Sequence, residues 1–184
     1  MFFDHGYEAV AMEAVAAAAG VSKMTVYSHF QDKAALFGAC VHAACAEMLA
    51  GLTGLDHQAV SGDLKEALVA FGSTFLKFVF SPRAIVNLPR LVLSLRQDPV
   101  LARTFYEAGP ERTRASLARI IEAAAERGEL VLDAPMDAAD DLMSLWKGHA
   151  DNRVLMGIEP PLSEAALERR ARRGTEVFLR AYRP

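Results

Sequence analysis

The 184 residues are 52% apolar and carry a formal net charge of −3, which suits one or two compact units with a sizeable core. This overall charge gives no indication of nucleic-acid binding. No apolar run approaches the roughly 20 residues of a membrane-spanning helix, and the N-terminal residues lack the pattern of an export signal, so we expect no membrane partner. Cys40 and Cys45 cannot provide a disulfide framework, and we expect a reduced, cytoplasmic setting.

Apolar residues recur at three- and four-residue spacing along the chain, which predicts an all-α protein. The predicted helices, in chain order, are 12–19, 23–29, 33–50, 63–80, 82–97, 99–109, 111–127, 136–156 and 163–182. Glycine and polar residues predict a loop over 51–62. Pro89 is expected to kink its helix, Gly128 to end one helix, and Ser163 to cap the last.

Residues 12–30 have the pattern of a helix-turn-helix motif. Gly20 permits the sharp turn after the first short helix, and Ser22 can cap the second by accepting hydrogen bonds from its free amides. Val21 is expected to fill the angle between the two helices. The residues expected to face the core are Val26 and Phe30. A short helix with a polar outer face, docked by a glycine turn, is the arrangement that reads a DNA groove.

Two sets of segments together resemble the TetR family of transcriptional regulators. In the first half these are Gly6-Tyr7, AAAAGVSKMTVYSHF over 16–30, Lys33 and Leu36-Phe37. In the second half they are LARTFYEAGPER over 101–112, RGEL over 127–130, GIEPP over 157–161 and FLRAY over 178–182, which resemble the AefR-like regulatory domain of that family. The resemblance implies a TetR-like fold, with a helix-turn-helix DNA-binding domain and connecting helix over 1–50. It also implies a ligand-binding and dimerisation bundle over 51–184.

The resemblance also implies how the motif contacts DNA. Tyr27, His29 and Lys33 are expected to hold phosphates. The free amides at the start of the helix that begins at Lys33 are expected to bind a phosphate as well. Lys23, Met24 and Thr25 are expected to face base edges in the major groove. The predicted DNA-binding set, with the capping serine, is therefore Ser22, Lys23, Met24, Thr25, Tyr27, His29 and Lys33.

Three departures from the family pattern bear on this prediction. Ala11 stands where the family usually has a capping Ser or Thr, and Met24 stands where it usually has glycine. Residues 1–48 contain two lysines against five Asp and Glu, although phosphate neutralisation supplies much of DNA affinity. By the resemblance, about one basic helix is expected before Phe2, so that the first helix is incomplete.

For the second half, the resemblance implies a homodimer formed through 136–156 and 163–182, and a pocket for a small, largely apolar effector. The predicted pocket residues are Phe71, Phe75, Phe105, Trp146 and His149. We expect a repressor that binds a palindromic operator in double-stranded DNA and is released by the effector. We expect no metal and no cofactor.

Two alternatives remain beside this interpretation. An enzyme would have to use Cys40, His42, Cys45 and His149, but their spacing matches no metal or nucleophile motif, and no phosphate-binding loop accompanies them. A dimeric small-molecule-binding module without DNA binding is the second alternative, because the first helix is expected to be missing.

Overall fold

A computed structural model describes residues 1–50 and 63–184. All regular elements in these two ranges are helices, which confirms the predicted all-α class. The first four are α1 (Phe2–His5), α2 (Met12–Ala18), α3 (Lys23–His29) and α4 (Lys33–Ala50). The remaining helices are α5 (Leu64–Val79), α6 (Pro82–Leu95), α7 (Pro99–Ala108), α8 (Pro110–Glu126), α9 (Pro135–Lys147), α10 (Ala150–Leu155) and α11 (Glu164–Tyr182). The loop predicted over 51–62 lies outside the described residues.

The described residues form two compact units, and their boundaries differ from the predicted division at residue 50. The first unit contains Met1–Ala46 and Pro82–Glu111, and the second contains Glu47–Ser81 and Arg112–Pro184. The predicted boundary at residue 50 therefore leaves out α6 and α7, which pack with the helix-turn-helix motif. Residues 82–111 join the first unit through contacts between segments that are distant in sequence.

The core of the first unit is built around aromatic side chains. Phe37 on α4 is fully buried, and its ring meets Phe2 edge-on at 5.3 Å between centroids and stacks on Phe105 at 6.1 Å. Leu91 of α6 and Leu101 of α7 are buried in the same cluster. Asp98 begins α7 by accepting hydrogen bonds from the amides of Val100 and Leu101, each at 3.0 Å.

In the second unit, α11 packs along both α5 and α9. Ser163 caps α11 by accepting from the Ala166 amide at 3.3 Å, as predicted. Trp146 lies at the centre of this unit and is completely buried. Among the described residues no single helix is long and apolar enough to cross a membrane, and only the bent pair α5 and α6 passes that test jointly, by length and composition.

The single helix predicted over 136–156 is wrong, because the chain breaks between α9 and α10. Gly148 has φ of 50°, a backbone conformation that side-chain-bearing residues rarely adopt. The Arg170 side chain donates hydrogen bonds to the carbonyls of Trp146 and Lys147 and so satisfies the end of α9. By contrast, α6 continues through Pro89 without interruption.

Candidate nucleic-acid interface

The turn between α2 and α3 has the geometry of the predicted motif. Gly20 has φ of 68°, and the Val21 amide donates to the Ala16 carbonyl at 3.0 Å, which closes the end of α2. Val21 itself is 42% exposed, so the prediction that it fills the angle between the helices is wrong. The buried contacts of the motif are made instead by Met12, Ala16 and Val26. Phe30, predicted to be core, is only partly buried.

Ser22 begins α3 as predicted, and it also holds one of the predicted base readers. Its hydroxyl oxygen accepts from the Thr25 amide at 3.0 Å and lies 2.8 Å from the Thr25 hydroxyl oxygen. The outer face of α3 is open. Met24 is 82% exposed and Tyr27 is 43% exposed. The helix therefore presents a fixed hydroxyl pair beside two large, accessible side chains.

His29 ends α3 with its ring tied back to the helix. Its Nδ1 lies 2.8 Å from the Thr25 carbonyl oxygen, and since a carbonyl only accepts, Nδ1 must carry the proton in this arrangement. In the neutral ring Nε2 is then an acceptor. His29 can donate to a phosphate through Nε2 only as an imidazolium.

Lys33 lies apart from these groups. Its ammonium donates to the Glu8 carbonyl at 3.2 Å and lies 4.4 Å from the centroid of the Tyr7 ring, so it fastens the start of α4 to the segment before α2. The Asp32 carboxylate accepts from the Ala35 amide at 2.8 Å. Of the amides expected to receive a phosphate here, that of Ala35 is therefore already bonded to a carboxylate.

Lys23 is engaged by a residue that the sequence prediction missed. Its ammonium forms an ion pair with the Glu13 carboxylate of α2 and lies 5.5 Å from the centroid of the Tyr27 ring. The hydrogen bond from Lys23 holds the pKa of Glu13 below its ordinary value, and the same contact raises the pKa of Lys23. The absent cap at Ala11 was the sequence feature that could have drawn attention to a carboxylate in the first turn of α2.

The net charge of the whole first unit is less negative than that of residues 1–48. Residues 82–111 add four arginines, including Arg83, so the unit has six Lys and Arg against seven Asp and Glu. Arg83 binds Asp4 through two hydrogen bonds of 2.8 and 2.7 Å, and this contact lowers the pKa of Asp4. A cleft of about 270 Å³ lies beside this pair and has mixed polar and aromatic walls. The unit is close to neutral rather than acidic.

The five predicted effector residues are divided between the two units. Phe71 and Phe75 lie with Trp146 in the second unit, at 6.0 and 6.3 Å between centroids. Phe105 belongs to the first unit, where it stacks on Phe37. His149 is exposed just before α10, because the predicted helix is broken there. That these five residues line a single pocket stays a prediction.

The fold and the open face of α3 define a helix-turn-helix DNA-binding protein. Residues 1–40 match the family described as bacterial regulatory proteins, tetR family, and residues 66–184 match the C-terminal domain of AefR-like transcriptional repressors. The chain belongs to the TetR family of transcriptional regulators.

Solved structures and curated relatives agree with this assignment. The Flavonoid-responsive Regulator FrrA is 36% identical with a TM-score of 0.78, and the match covers 100% of this chain and 91% of that one. A TetR-family regulator from Mesorhizobium loti is 29% identical with a TM-score of 0.81 over the same shares. An uncharacterized HTH-type transcriptional regulator of Mycobacterium tuberculosis is 25% identical over 88% of this chain and 74% of that protein. These relatives are transcriptional regulators and not enzymes.

Proposed function

We propose that this chain is a ligand-responsive repressor that binds a palindromic operator as a homodimer and is released by a small, largely apolar effector. The observation that carries the proposal is the outer face of α3, which is capped, exposed and short enough to enter a major groove. Such a protein acts in the cytoplasm, where operator DNA is present.

On DNA, we assign base contacts to Lys23, Met24 and Thr25. The Lys23 ammonium can donate to guanine acceptors, and the methyl groups of Met24 and Thr25 can pack on thymine. Tyr27 and His29 are assigned to phosphates. Ser22 acts through the α3 cap, and we reassign Lys33 from a phosphate contact to bracing the start of α4.

The dimer is proposed to form through 136–156 and 163–182, which correspond to α9, α10 and α11. The solvent-exposed faces of α9 and α11 carry opposite charges. Asp137 and Asp141 are exposed on α9, and Arg169 and Arg173 are exposed on α11. Two such helices from each subunit would form a four-helix interface with the same patch on both sides. Binding to adjacent major grooves requires the two α3 helices of the dimer to lie about 34 Å apart.

Val177 provides a direct test of this interface, because it is 42% exposed on the same face of α11. Val177→Arg would add one arginine from each subunit to the Arg169 and Arg173 side chains at a twofold contact, and we expect it to convert the dimer to monomer. Light scattering coupled to gel filtration measures the mass. Val92→Arg, at a valine of α6 that is 45% exposed, is the matched control and should remain dimeric. A monomeric wild-type protein would contradict the proposed interface.

The effector is proposed to be a planar aromatic compound, on the ground that a 36% identical relative is described as flavonoid-responsive. The second unit offers one built-in reporter, because Trp146 is the only tryptophan and stacks with Phe71. Titration with a panel of flavonoids should change the Trp146 emission in a saturable way. Calorimetry on the same compounds gives a readout independent of their absorbance. No heat and no saturable change across the panel would reject this class of effector.

The repressor function is tested by selecting duplexes from a random library with the purified protein. Enrichment of an inverted repeat, and its release in a gel shift on adding a bound flavonoid, is the expected result. A protein that dimerises and binds flavonoid but enriches no sequence would be a small-molecule-binding module without DNA binding, the alternative interpretation.

A further inference from the structure

An ion pair joins the two helices of the helix-turn-helix motif at the start of the second helix. Glu13 is the second residue of α2 and Lys23 is the first residue of α3, and the glutamate oxygen Oε1 contacts the lysine Nζ. Both side chains are slightly more than half exposed. The pair therefore lies on the surface that the proposed function turns towards DNA.

Glu13 is held in place by α2 as well as by Lys23. Ala11, at the N-cap of α2, makes no side-chain hydrogen bond, and the Glu13 carboxylate bonds its own backbone amide. On the other side, the Lys23 ammonium lies 5.5 Å from the centroid of the Tyr27 ring. Glu13 and Tyr27 thus fix the position of the ammonium from two directions.

Pairing changes which DNA groups Lys23 can recognise. A lone ammonium attracts every phosphate, because Coulomb attraction extends for many ångströms and does not depend on sequence. Beside the Glu13 carboxylate, most of this long-range attraction is cancelled. A hydrogen bond to guanine O6 or N7 needs only a correctly placed N–H group, and the ammonium has three. The pair therefore weakens phosphate attraction more than base recognition.

We propose that Glu13 is a positioning residue that makes Lys23 a base reader, increasing discrimination between sequences at the expense of total DNA affinity. This inference rests on the proposed function, because it requires that α3 reads DNA.

The test compares Glu13→Gln with wild type on two probes: the duplex that the wild-type protein selects, and a scrambled duplex of the same composition. Releasing Lys23 to a phosphate should raise affinity for the scrambled duplex roughly tenfold at about 0.1 M salt and steepen its log–log salt dependence by about one. Affinity for the selected duplex should rise much less, so that the ratio of the two affinities falls.

Three further variants separate this role from simpler ones. Glu8→Gln removes one carboxylate from the same unit but leaves the ion pair in place, and its affinity ratio should match the wild type. Glu13→Asp keeps the carboxylate and should retain most of the discrimination. In the Lys23→Gln background, Glu13→Gln should no longer change the ratio, because the positioned group is absent.

Several results would overturn the inference. If Glu13→Gln lowers the melting temperature but leaves both the ratio and the salt dependence unchanged, Glu13 only stabilises α2. If the effect of Glu13→Gln persists without Lys23, the carboxylate acts by direct repulsion of phosphate. Both outcomes leave the proposed function standing. Failure of the wild-type protein to select any duplex overturns the function and this inference together.

Discussion

The indole N–H of Trp146 donates a hydrogen bond to the Thr175 hydroxyl at 3.1 Å, and both side chains are completely buried. The bond joins α9 to α11 at the centre of the second unit. Glycines at positions 72 and 174 let α5 and α11 approach the ring, because a Cβ built on either would lie within 2.6 Å of it. Trp146 is therefore a close-packed core residue with its polar group satisfied.

Thr175→Val should destabilise the second unit, because it keeps the shape of the side chain but leaves the Trp146 N–H buried without its partner. The expected loss is about 1–3 kcal/mol in the free energy of unfolding. Urea titration followed by circular dichroism measures it. Thr175→Ser retains the hydroxyl and should keep the hydrogen bond, as shown by an unchanged indole N–H resonance. A Thr175→Val protein as stable as the wild type would show that the bond contributes nothing.

Gly174→Ala should also destabilise the protein, by overpacking. Its Cβ would lie 2.6 Å from Trp146 Cδ1 and 3.1 Å from backbone atoms of α9, so the helices must separate. Such overpacking typically costs about 1–3 kcal/mol. In a Trp146→Phe background the ring is smaller, and the additional cost of Gly174→Ala should decrease, as measured by a double-mutant cycle. Equal costs in both backgrounds would contradict this packing.

Local pattern was sufficient to predict most helices and the motif. Ser22 and Ser163 cap helices through neighbours three residues away, and Gly20 turns the chain by its own backbone freedom. Spacing in sequence reports such short-range features well.

Contacts between distant segments were not predictable in this way. The end of α9 depends on Arg170, more than 20 residues later. Phe105, which was predicted to line an effector pocket, stacks on Phe37 in the first unit. The pairing of Lys23 with Glu13 likewise depends on how α2 and α3 cross. Each is a tertiary contact, which a single sequence does not specify through propensity or periodicity.

Ser22 offers a way to separate the stability of α3 from its affinity for DNA. Ser22→Ala removes the hydroxyl that accepts from the Thr25 amide and should cost about 1 kcal/mol in unfolding free energy. Ser22→Asp can cap the helix equally well but places a negative charge at the end of α3 that is proposed to enter the DNA groove. It should unfold like the wild type and bind the selected duplex more weakly. Wild-type affinity for Ser22→Asp would show that phosphates do not approach this end of α3.

The contact between Asp4 and Arg83 makes a specific pH prediction. Arg83 lowers the pKa of the Asp4 carboxyl, so the contact stabilises the fold above the ordinary pKa of aspartate. That stabilisation is lost as the pH falls through the lowered pKa of the folded state. In Arg83→Gln the pKa of Asp4 should move back up towards its ordinary value, as an NMR titration of the carboxyl would detect. Asp98, which does not pair with Arg83, serves as the internal control, and an unmoved Asp4 would rule out the contact in solution.

The claim that α3 reads DNA is tested most directly by fluorescence anisotropy with Lys23→Ala on the selected and scrambled duplexes. Arg103→Ala, an exposed cation on α7 in the same unit, controls for the loss of one positive charge. The account predicts that Lys23→Ala weakens binding to the selected duplex about tenfold or more, while the scrambled duplex and the Arg103→Ala protein change little. Equal weakening on both duplexes, or equal effects of the two substitutions, would contradict it.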